Sequence, residues 1–522
     1  MTPASPLLRR FTHPRLLLAF TVALAIVITA GCGSSHSSPP ALTGNTEVTV
    51  MVSGTANDEL QQFDIAFTSL TLTSQSGTTV NLLSTQVAQG AEFIHINGGA
   101  EPLLTVSVPQ GIYTAAAATN LGYDFVCVTQ VPGTLATATF GDPYGGPNAT
   151  INLPTPITIT GDSMALSLDM LVSQSATISS CYVPNGYPTW TISPTFNLTP
   201  LTLSPQPTNA ENGKVTGVHG EIASINAASN SFTLSLTNMD GPRTFSASAN
   251  SATVYQGISN FSALTVGTFV DMDGAVQSNG SLLAMRVAVE DASAVNVVTG
   301  PLTQVISSNS FMLMVPREEE GASFLTQAVF GGAPFTFGSA VFQISGQLTN
   351  LQTLPFTASF NGSNMVDGQN VYVSAPLIPD AHPEVAARTI TLIPQTIDGT
   401  IAATSNTGGF AIYTVTLAPY DLFPILAAQP GQTTLLTNPS QVEVYVDNNT
   451  QMLNSGALAV GNTLRFNGLV FNDNGTLRMD CAQINDGVAP QPAAQAAAAV
   501  PSSNSTQHGV VHQYLQHTGV SR

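Results

Sequence analysis

The sequence predicts an all-β protein, and three observations support this. Helical periodicity is almost absent from the 522 residues, whereas short runs of alternating large and small side chains recur between clusters of Gly, Asn, Pro and Ser. Related segments return along the second half of the chain, which is typical of repeated domains. Charged residues make up only 8% of the chain, so uncharged Thr, Ser and Asn must cover the solvent-facing sides of the strands.

The first region of alternation extends from about residue 46 to residue 200. Its clearest strands are predicted at 47–52, 63–72 and 164–170. Residues 104–114 predict two strands joined by a Pro-Gln-Gly turn, in which Gly111 is expected to supply the positive φ that a tight connection needs. Residues 201–213 lack clear alternation and are predicted to be a linker.

This region resembles the N-terminal domain of unknown function found in many bacterial lipoproteins. The resemblance lies in FDIAFTSLTLTSQSGTTVNLL from residue 63, VPQGIYT from residue 108 and ITGDSMALSLDM from residue 159. It implies a transthyretin-like β-sandwich over residues 46–200.

The remainder of the chain predicts three related units, at 214–291, 295–395 and 396–487. Their openings are Val215-Thr216-Gly217, Val298-Thr299-Gly300 and Ile397-Asp398-Gly399. A Val-aromatic pair marks a later strand in each unit, at 254–255, 341–342 and 444–445. In the outer two units, Asn279-Gly280 and Asn474-Gly475 predict β-hairpins, whereas the middle unit lacks this signal and is divergent.

Within each unit the alternation implies one buried face, so a small closed or nearly closed β-barrel is expected. The units resemble a small repeated β-domain of unknown function in exported bacterial proteins. Residues 488–522 are rich in Ala, Gln, Pro and Ser without a pattern, and they are predicted to form a disordered tail.

The beginning of the chain has the features of an export signal. A basic start with Arg9 and Arg10 is followed by an apolar or small run at 16–30, and Gly31 then precedes Cys32. This resembles the signal peptide and lipobox of bacterial lipoproteins, where the cysteine is acylated and becomes the mature N-terminus. The alternative is ordinary secretion with cleavage near Ala30.

The lipoprotein resemblance implies a signal peptide at 1–31, acyl chains on Cys32 and attachment to a membrane. Residues 32–45 are rich in Ser, Pro and Gly, and they are predicted to be a flexible tether. Gly33, rather than an aspartate, follows the cysteine, which favours the outer membrane in a Gram-negative cell.

Three further cysteines occur in the chain. With Cys32 acylated, Cys127 and Cys181 are the natural disulfide pair in an oxidising compartment. Cys481 is predicted to be a buried free thiol in a strand.

The formal net charge of −19 restricts the partners of the protein. Binding to phosphate backbones needs basic clusters, and the sequence has none, so nucleic acid is excluded as an expected partner. Electrostatic docking on anionic lipid is excluded for the same reason, so the acyl group must provide the membrane attachment.

No catalytic or metal-binding motif is present. The chain lacks a Gly-x-Ser-x-Gly elbow, a Cys-x-x-Cys pair and a His-Glu-x-x-His segment. His95, His219 and His382 fall in separate predicted domains. Asp271 and Asp273 alternate in a strand, most simply on its solvated face. We therefore predict no enzyme activity, no metal and no cofactor.

Trp190, with Tyr187 and Tyr182, is the best candidate for a ligand surface, because aromatic platforms bind sugars; the alternative is that these rings cap the sandwich core. The sequence thus predicts a lipid-anchored cell-envelope protein that acts as a binding, adhesion or structural module with a glycan or envelope-protein ligand. The competing hypothesis is an enzyme, or an enzyme accessory, acting on envelope or extracellular polysaccharide.

Overall fold

The computed structural model describes residues 42–485. Within that span it leaves out 55–59, 84–88, 94–99, 132–133, 143–148, 179–189, 202–213, 239–240, 291–295, 308, 314–316, 321–332, 347, 349–350, 376–384, 419–420, 430–434 and 454–457. The chain from Gly44 onward forms one compact unit. Met1–Thr43 form a separate unit, of which only Leu42 and Thr43 are described. Strands dominate the described residues, which confirms the all-β prediction.

The N-terminal domain, here called the sandwich, is built from thirteen strands and one short helix. The strands are β1 (Asn45–Gly54), β2 (Leu60–Ser74), β3 (Thr79–Asn81), β4 (Gln89–Glu92), β5 (Glu101–Pro109), β6 (Gly111–Val131), β7 (Thr134–Asp142), β8 (Thr150–Asn152), β9 (Ile157–Ile159), β10 (Ser163–Met170), β11 (Ala176–Ile178), β12 (Trp190–Ile192) and β13 (Thr195–Pro200). Helix α1 (Val172–Ser175) precedes β11.

Two sheets of the sandwich share one apolar core. One has the strand order β5-β1-β10-β13-β8, and the other has the order β3-β2-β6-β7 with β4 and β9 at its margins. Alternate residues of facing strands fill the core, including Val48, Phe63, Phe125 and Phe196. The sandwich prediction is confirmed, whereas its finer transthyretin-like character stays a prediction.

The Pro-Gln-Gly turn is present, but its predicted glycine conformation is wrong. The hydroxyl of Tyr113 donates a 2.8 Å hydrogen bond to the carbonyl of Pro109 and so closes the corner between β5 and β6. Gly111 does not have a left-handed φ. The reason is that Gly111 already pairs with Ile159 in the β6–β9 ladder, so its backbone is part of a strand.

Three small β-domains follow, and we call them repeat 1, repeat 2 and repeat 3. Repeat 1 contains β14 (Lys214–Asn226), β15 (Ser231–Asn238), β16 (Gly241–Ser248), β17 (Val254–Gln256), a 3-10 turn at Phe261–Ala263, β18 (Phe269–Val276) and β19 (Leu282–Glu290). Repeat 2 contains β20 (Asn296–Ser307), β21 (Ser310–Leu313), β22 (Arg317–Glu320), β23 (Ala333–Thr336), β24 (Val341–Ile344), a 3-10 turn at Leu351–Thr353, β25 (Asn370–Ala375), β26 (Val385–Ala386) and β27 (Thr389–Leu392).

Repeat 3 contains β28 (Gln395–Thr407), β29 (Phe410–Leu417), α2 (Leu422–Ala427), β30 (Gln441–Val446), β31 (Gln451–Leu453), β32 (Thr463–Asp473) and β33 (Thr476–Asn485).

Repeats 1 and 3 have the same topology. Apart from the three-residue strands β17 and β31, each barrel has five strands. The first of these pairs with the second and the fourth, and the third pairs in parallel with the fifth, which closes the barrel through β16–β19 and β30–β33. This is the connectivity of the OB-fold, a five-stranded Greek-key barrel.

The backbone register corrects the predicted start of repeat 1. In each repeat a glycine amide donates a hydrogen bond to a backbone carbonyl of the first strand. The bonds are from Gly267 to Ile222, from Gly368 to Leu302 and from Gly461 to Ile401. These bonds align Val218-His219-Gly220 with Val298-Thr299-Gly300 and Ile397-Asp398-Gly399, so the motif predicted at 215–217 lies three residues too early. Val-x-Gly occurs twice in succession, at 215–217 and at 218–220. The register of the β14–β18 pairing shifts between Val215 and Val218, so only the second triplet lies at the position equivalent to the openings of the other repeats.

The Val-aromatic marker is wrong for repeat 3. The hydroxyl of Thr253 donates a hydrogen bond to the backbone carbonyl of Ala284, and that of Thr450 donates the equivalent bond to the carbonyl of Cys481. Residues 254–255 therefore correspond to 451–452. Val444-Tyr445 instead lies in the third strand of its barrel. Val341-Phe342 does correspond to Val254-Tyr255, because β24 pairs in parallel with β27 as β17 does with β19.

Both predicted Asn-Gly hairpins are present, with different turns. Asn474 and Gly475 have φ values of 52° and 90°, as a two-residue type I′ turn requires. At Asn279-Gly280 only the glycine is left-handed, with φ 83°, and the wider turn is closed between Gln277 and Ser281.

The described domains pack against one another through apolar contacts. Met51 and Ala165 of the sandwich belong to the core of repeat 1, whereas Leu469 and Phe471 of repeat 3 belong to the core of repeat 2. Val366 of repeat 2 in turn packs in the core of repeat 3. In the described part of the chain, no helix is long and apolar enough to cross a membrane.

Candidate functional site

Several predicted site residues lie outside the described residues. These are Cys32, Cys181, Tyr182 and Tyr187, together with His95 and His382. Cys127 lies in β6, but its side chain is not described. The lipid on Cys32 and the Cys127–Cys181 disulfide therefore stay predictions. Cys481 is a buried free thiol in β33, as expected, and burial raises the pKa of this thiol.

Trp190 packs against the sandwich core. Its indole Nε1–H donates to the hydroxyl of Tyr123 at 3.3 Å, and its ring meets Phe125 edge-on with a centroid distance of 5.5 Å. The side chain is half-buried. These contacts favour the capping role over a free aromatic platform.

Asp271 and Asp273 are buried, which contradicts the expectation that they face solvent. Their side chains are only 4% and 0% exposed. They alternate with Val270 and Met272 of the repeat 1 core, so both point away from that core. Repeat 2 lies on that side, where a Cβ on Gly346 would be 3.5 Å from Oδ2 of Asp273. Arg286 pairs with both carboxylates; its Nε donates to Asp273 at 2.8 Å, and its Nη2 contacts Asp271.

His219 joins this buried cluster to repeat 2. Its Nδ1 lies 3.0 Å from the hydroxyl of Tyr372, and the two rings stack at 4.8 Å between centroids with an interplanar angle of 11°. Its Nε2 lies 3.5 Å from Asp271. Burial, with Arg286 nearby, lowers the pKa of His219 to about 3, so the ring is neutral at pH 7.

We call His219, Asp271, Asp273, Arg286 and Tyr372 the polar joint. A tyrosine, a histidine and a carboxylate in this order could relay a proton, but a catalytic group must reach a substrate. All four repeat 1 side chains are at most 13% exposed, and Tyr372 is 3% exposed. The polar joint therefore fixes repeat 1 against repeat 2 and offers no place for a substrate.

Repeat 3 carries different charges at the same register positions. Asp398 takes the place of His219, and Arg465 takes the place of Asp271. Arg465 Nε lies 3.4 Å from Asp398 Oδ1, and both side chains are nearly fully buried. Repeats 1 and 3 thus share a topology but differ in the charges on this face.

The outer face of β30 and β33 in repeat 3 carries an aromatic and charged cluster. Arg478 lies over the rings of Phe356 and Tyr445, with its guanidinium carbon 5.4 and 5.7 Å from their centroids. Its nitrogens pair with Glu443 at 2.8 Å and with Asp473 at 3.0 Å. The Arg478 side chain is 23% exposed, so this cluster, unlike the polar joint, reaches solvent. We call it the repeat 3 face.

Tyr445 is the centre of the repeat 3 face. Its hydroxyl donates to Glu443 Oε2 at 2.9 Å and also contacts Arg478. Burial, together with the hydrogen bond to Glu443, raises the pKa of Tyr445 to about 12. Asp480, the parallel partner of Tyr445 in β33, is buried as well, and burial with the nearby charge of Asp447 raises the pKa of Asp480 to about 7.

A shallow groove lies at one end of the repeat 3 face. It has a volume of about 530 Å³ and is lined by the turn at 406–409, by Phe410 and Ala411, and by 446–448 at the end of β30. Its lining includes Asn406, Thr407, Asp447 and Asn448, whose side chains carry amide, hydroxyl and carboxylate groups. Such groups can donate and accept hydrogen bonds with a hydroxylated ligand.

Local sequence patterns do not predict this site. In the sequence Tyr445 is only the second residue of a Val-aromatic pair, and Phe356 comes from a loop of a different repeat. Glu443 and Arg478 are neighbours because β30 and β33 pair in parallel, and local sequence patterns do not predict which strands pair in this way. Within the described residues no group of three or more His, Cys, Asp or Glu side chains is arranged to hold a metal ion.

Comparisons with known proteins bear on repeat 1. Residues 219–288 match a domain of unknown function, DUF5666. The match begins at His219 and ends at Ala288, so it covers the first through the last strand of the repeat 1 barrel. The predicted resemblance of the repeats to a small β-domain of unknown function is thereby confirmed for repeat 1. No curated protein matches the chain.

Six chains of solved structures match, among them a Drosophila structure titled "drosophila Unr CSD456". That match has 10% sequence identity, covers 52% of this chain and 97% of the other, and has a TM-score of 0.12. A score this low carries no argument about a shared fold or function. What the comparisons establish is that repeat 1 is similar to a domain whose function is unknown.

Proposed function

We propose that this chain is a lipid-anchored cell-envelope protein that binds an uncharged, hydroxylated ligand, such as a glycan, at the groove of repeat 3. The groove beside the repeat 3 face is the observation that carries this proposal. The groove has a volume of about 530 Å³, is lined by residues with amide and hydroxyl groups, and lies beside an aromatic cluster. Its position at the first inter-strand turn also supports the proposal, because OB-folds bind oligosaccharides and oligonucleotides around this loop.

The charges around the groove favour an oligosaccharide over an oligonucleotide as the ligand. Glu443 and Asp473 pair with Arg478, and Asp447 lines the groove. A phosphate backbone would meet more negative than positive charge here, in a chain with a formal net charge of −19. A neutral glycan avoids that repulsion, and the groove amides match its hydroxyls.

The other domains hold the binding face away from the anchor in this proposal. The shared cores and the polar joint support a continuous body of connected domains rather than separate modules on flexible linkers. Acylation of Cys32 would attach this body through the tether at 32–45 to the outer membrane. We propose no catalytic step.

Intact-mass analysis tests the anchor. We expect protein purified from membranes to begin at residue 32 with acyl chains, and the Cys32→Ala variant to lose them and leave the membrane fraction. An unmodified wild-type chain in the culture medium would contradict the anchor and leave the binding proposal standing.

Calorimetric titration with chitohexaose and maltohexaose tests the ligand site. We expect saturable binding that Asn448→Trp weakens at least tenfold, because Asn448 is an exposed groove residue. Ser251→Trp is the matched control, since Ser251 occupies the equivalent exposed turn position in repeat 1. Absence of saturable binding to either sugar, or equal loss in both variants, would contradict the proposal.

A further inference from the structure

A segment of repeat 2 lies across the repeat 3 face. Leu354 packs with Phe410 and Tyr445 in one cluster, and Phe356 joins that cluster at its margin. The rings of Phe356 and Tyr445 are 4.8 Å apart between centroids, and those of Phe356 and Phe471 are 5.8 Å apart. We call residues 354–358 the strap.

The strap also reaches the groove. Pro355 is the nearest neighbour of Gly408, and a Cβ built on this glycine would lie 3.8 Å from the Cβ of Pro355. Gly408 lines the groove. The strap thus extends from the turn at 406–409 across Tyr445 to Phe471, and it covers the surface into which the groove would otherwise continue.

Side chains hold the strap in place. Among the described residues, no backbone hydrogen bond joins 354–358 to a strand. Leu354 is buried and Phe356 is half-buried, while Pro355 and Thr357 are exposed. A segment that is attached by a few apolar side chains, without ladder hydrogen bonds, opens more easily than the strands beneath it.

Arg478 makes the covered surface suitable for a ligand as well. Its guanidinium stacks on Phe356 and Tyr445 together, and two carboxylates hold it in that position. Removal of Phe356 would leave Tyr445 and Arg478 facing solvent side by side. An aromatic ring beside a fixed hydrogen-bond donor is a surface on which a sugar ring can stack and bond.

We propose that the strap is an autoinhibitory segment, which occupies the extended part of the ligand site and must move for a ligand longer than the groove to bind. This inference rests on the proposed function. A short sugar fits beside the strap, whereas a long one competes with Phe356 for Tyr445.

A reversible disulfide tests whether the strap moves. The separation between Pro355 and Gly408 matches the Cβ–Cβ distance of a disulfide, so the double variant Pro355→Cys with Gly408→Cys should lock the strap when oxidised and release it when reduced. The reduced variant is its own control for any strain at Gly408. Wild type with and without reductant controls for the native cysteines.

Limited proteolysis provides a measurement that needs no ligand. Chymotrypsin can cut after Phe356 only when the strap leaves the surface, so we expect cleavage there in wild type and in the reduced double variant, and at least tenfold slower cleavage once the double variant is oxidised. Absence of cleavage after Phe356 in wild type, or equal cleavage in the oxidised and reduced double variant, would overturn the proposal.

Ligand length provides the second measurement. We expect the oxidised lock to weaken binding of chitohexaose at least fivefold and Phe356→Ala to strengthen it, with chitobiose unaffected by either. Equal effects on chitohexaose and chitobiose would overturn the proposal that the strap is autoinhibitory. Failure of every form to bind either sugar would instead contradict the proposed function, while proteolysis still decides whether the strap opens.

Discussion

The hydroxyl of Tyr372 lies 3.0 Å from Nδ1 of His219, although 153 residues separate them in the chain. Each residue lies on the outer side of its own repeat, His219 in β14 of repeat 1 and Tyr372 in β25 of repeat 2. Repeats 1 and 2 therefore meet through polar side chains. A buried polar atom that loses its partner costs free energy, so the hydrogen bond between Tyr372 and His219 favours this docking of the two repeats.

Removal of the Tyr372 hydroxyl should destabilise the protein. Tyr372→Phe keeps the ring on His219 but leaves the buried Nδ1 without its partner, so we expect a loss of about 1–3 kcal/mol in the free energy of unfolding. Urea denaturation measures this. Tyr413→Phe in repeat 3 is the control, because Tyr413 is half-buried and we expect a change below about 0.5 kcal/mol there. Equal effects of the two variants would contradict the role of the polar joint.

His219 should make stability depend on acid. Its pKa is lowered from 6.5 to about 3 in the folded protein, mainly by burial. The unfolded chain therefore binds the proton first, and stability falls as the pH drops from about 6.5 towards 3, by up to about 1.4 kcal/mol per pH unit. The pKa of Asp271 is raised to about 6, which acts in the opposite direction between about 4 and 6.

Comparison with His219→Gln isolates the histidine contribution. We expect wild type to be the more stable protein at pH 7.5 and its advantage to shrink steadily at pH 6, 5 and 4. Because all carboxyl groups are present in both proteins, most of their titration cancels in the difference. A difference in unfolding free energy that is constant across this range would show that the ring binds its proton equally in the folded and unfolded states, so that folding does not lower its pKa.

Asp480→Asn should stabilise the protein at alkaline pH. Burial, with Asp447 nearby, raises the pKa of Asp480 to about 7, and its Oδ2 has no hydrogen-bond partner among the described residues. A raised carboxyl pKa contributes stability that is lost as the pH rises through about 7, so an uncharged amide should give a gain on the order of 4 kcal/mol at most at pH 8.

The gain from Asp480→Asn should disappear near pH 4, where the wild-type carboxyl is already neutral in the folded state. Asp473→Asn is a contrasting variant, because Asp473 pairs with Arg478 at 3.0 Å, and we expect it to give no gain at pH 8. Thermal unfolding at both pH values measures the two variants. Stabilisation of Asp480→Asn at pH 4 equal to that at pH 8 would show that charge is not its cause.

The sequence was most informative where the structure is local. Alternation located the strands, and Asn474-Gly475 located a hairpin, because side-chain period and positive φ are properties of neighbouring residues. Alternation also placed Asp271 and Asp273 on one face correctly. It could not show that repeat 2 covers this face, because that depends on Tyr372 in a distant strand. For the same reason Phe356 could not be assigned to the surface of repeat 3.

Two equivalent glycines should respond differently to alanine. Gly468 in repeat 3 and Gly274 in repeat 1 occupy the same position beside an irregularity of the fourth strand. A Cβ on Gly468 would overlap the backbone carbonyl oxygen of Asp480, which cannot rotate away. A Cβ on Gly274 would lie 3.3 Å from the Cβ of Leu282 and 3.4 Å from the carbonyl oxygen of Leu283, contacts that a shift of a few tenths of an ångström relieves.

We therefore expect Gly468→Ala to destabilise repeat 3 by about 3 kcal/mol or more, and Gly274→Ala to cost about 1 kcal/mol. Urea unfolding compares the two variants, and hydrogen exchange assigns the loss to β32 and β33. The asymmetry follows from how closely β32 and β33 approach at Gly468, where the backbone carbonyl of Asp480 fills the space of a side chain. Similar costs in the two variants would mean that repeat 3 can widen this strand pair without losing the closed barrel.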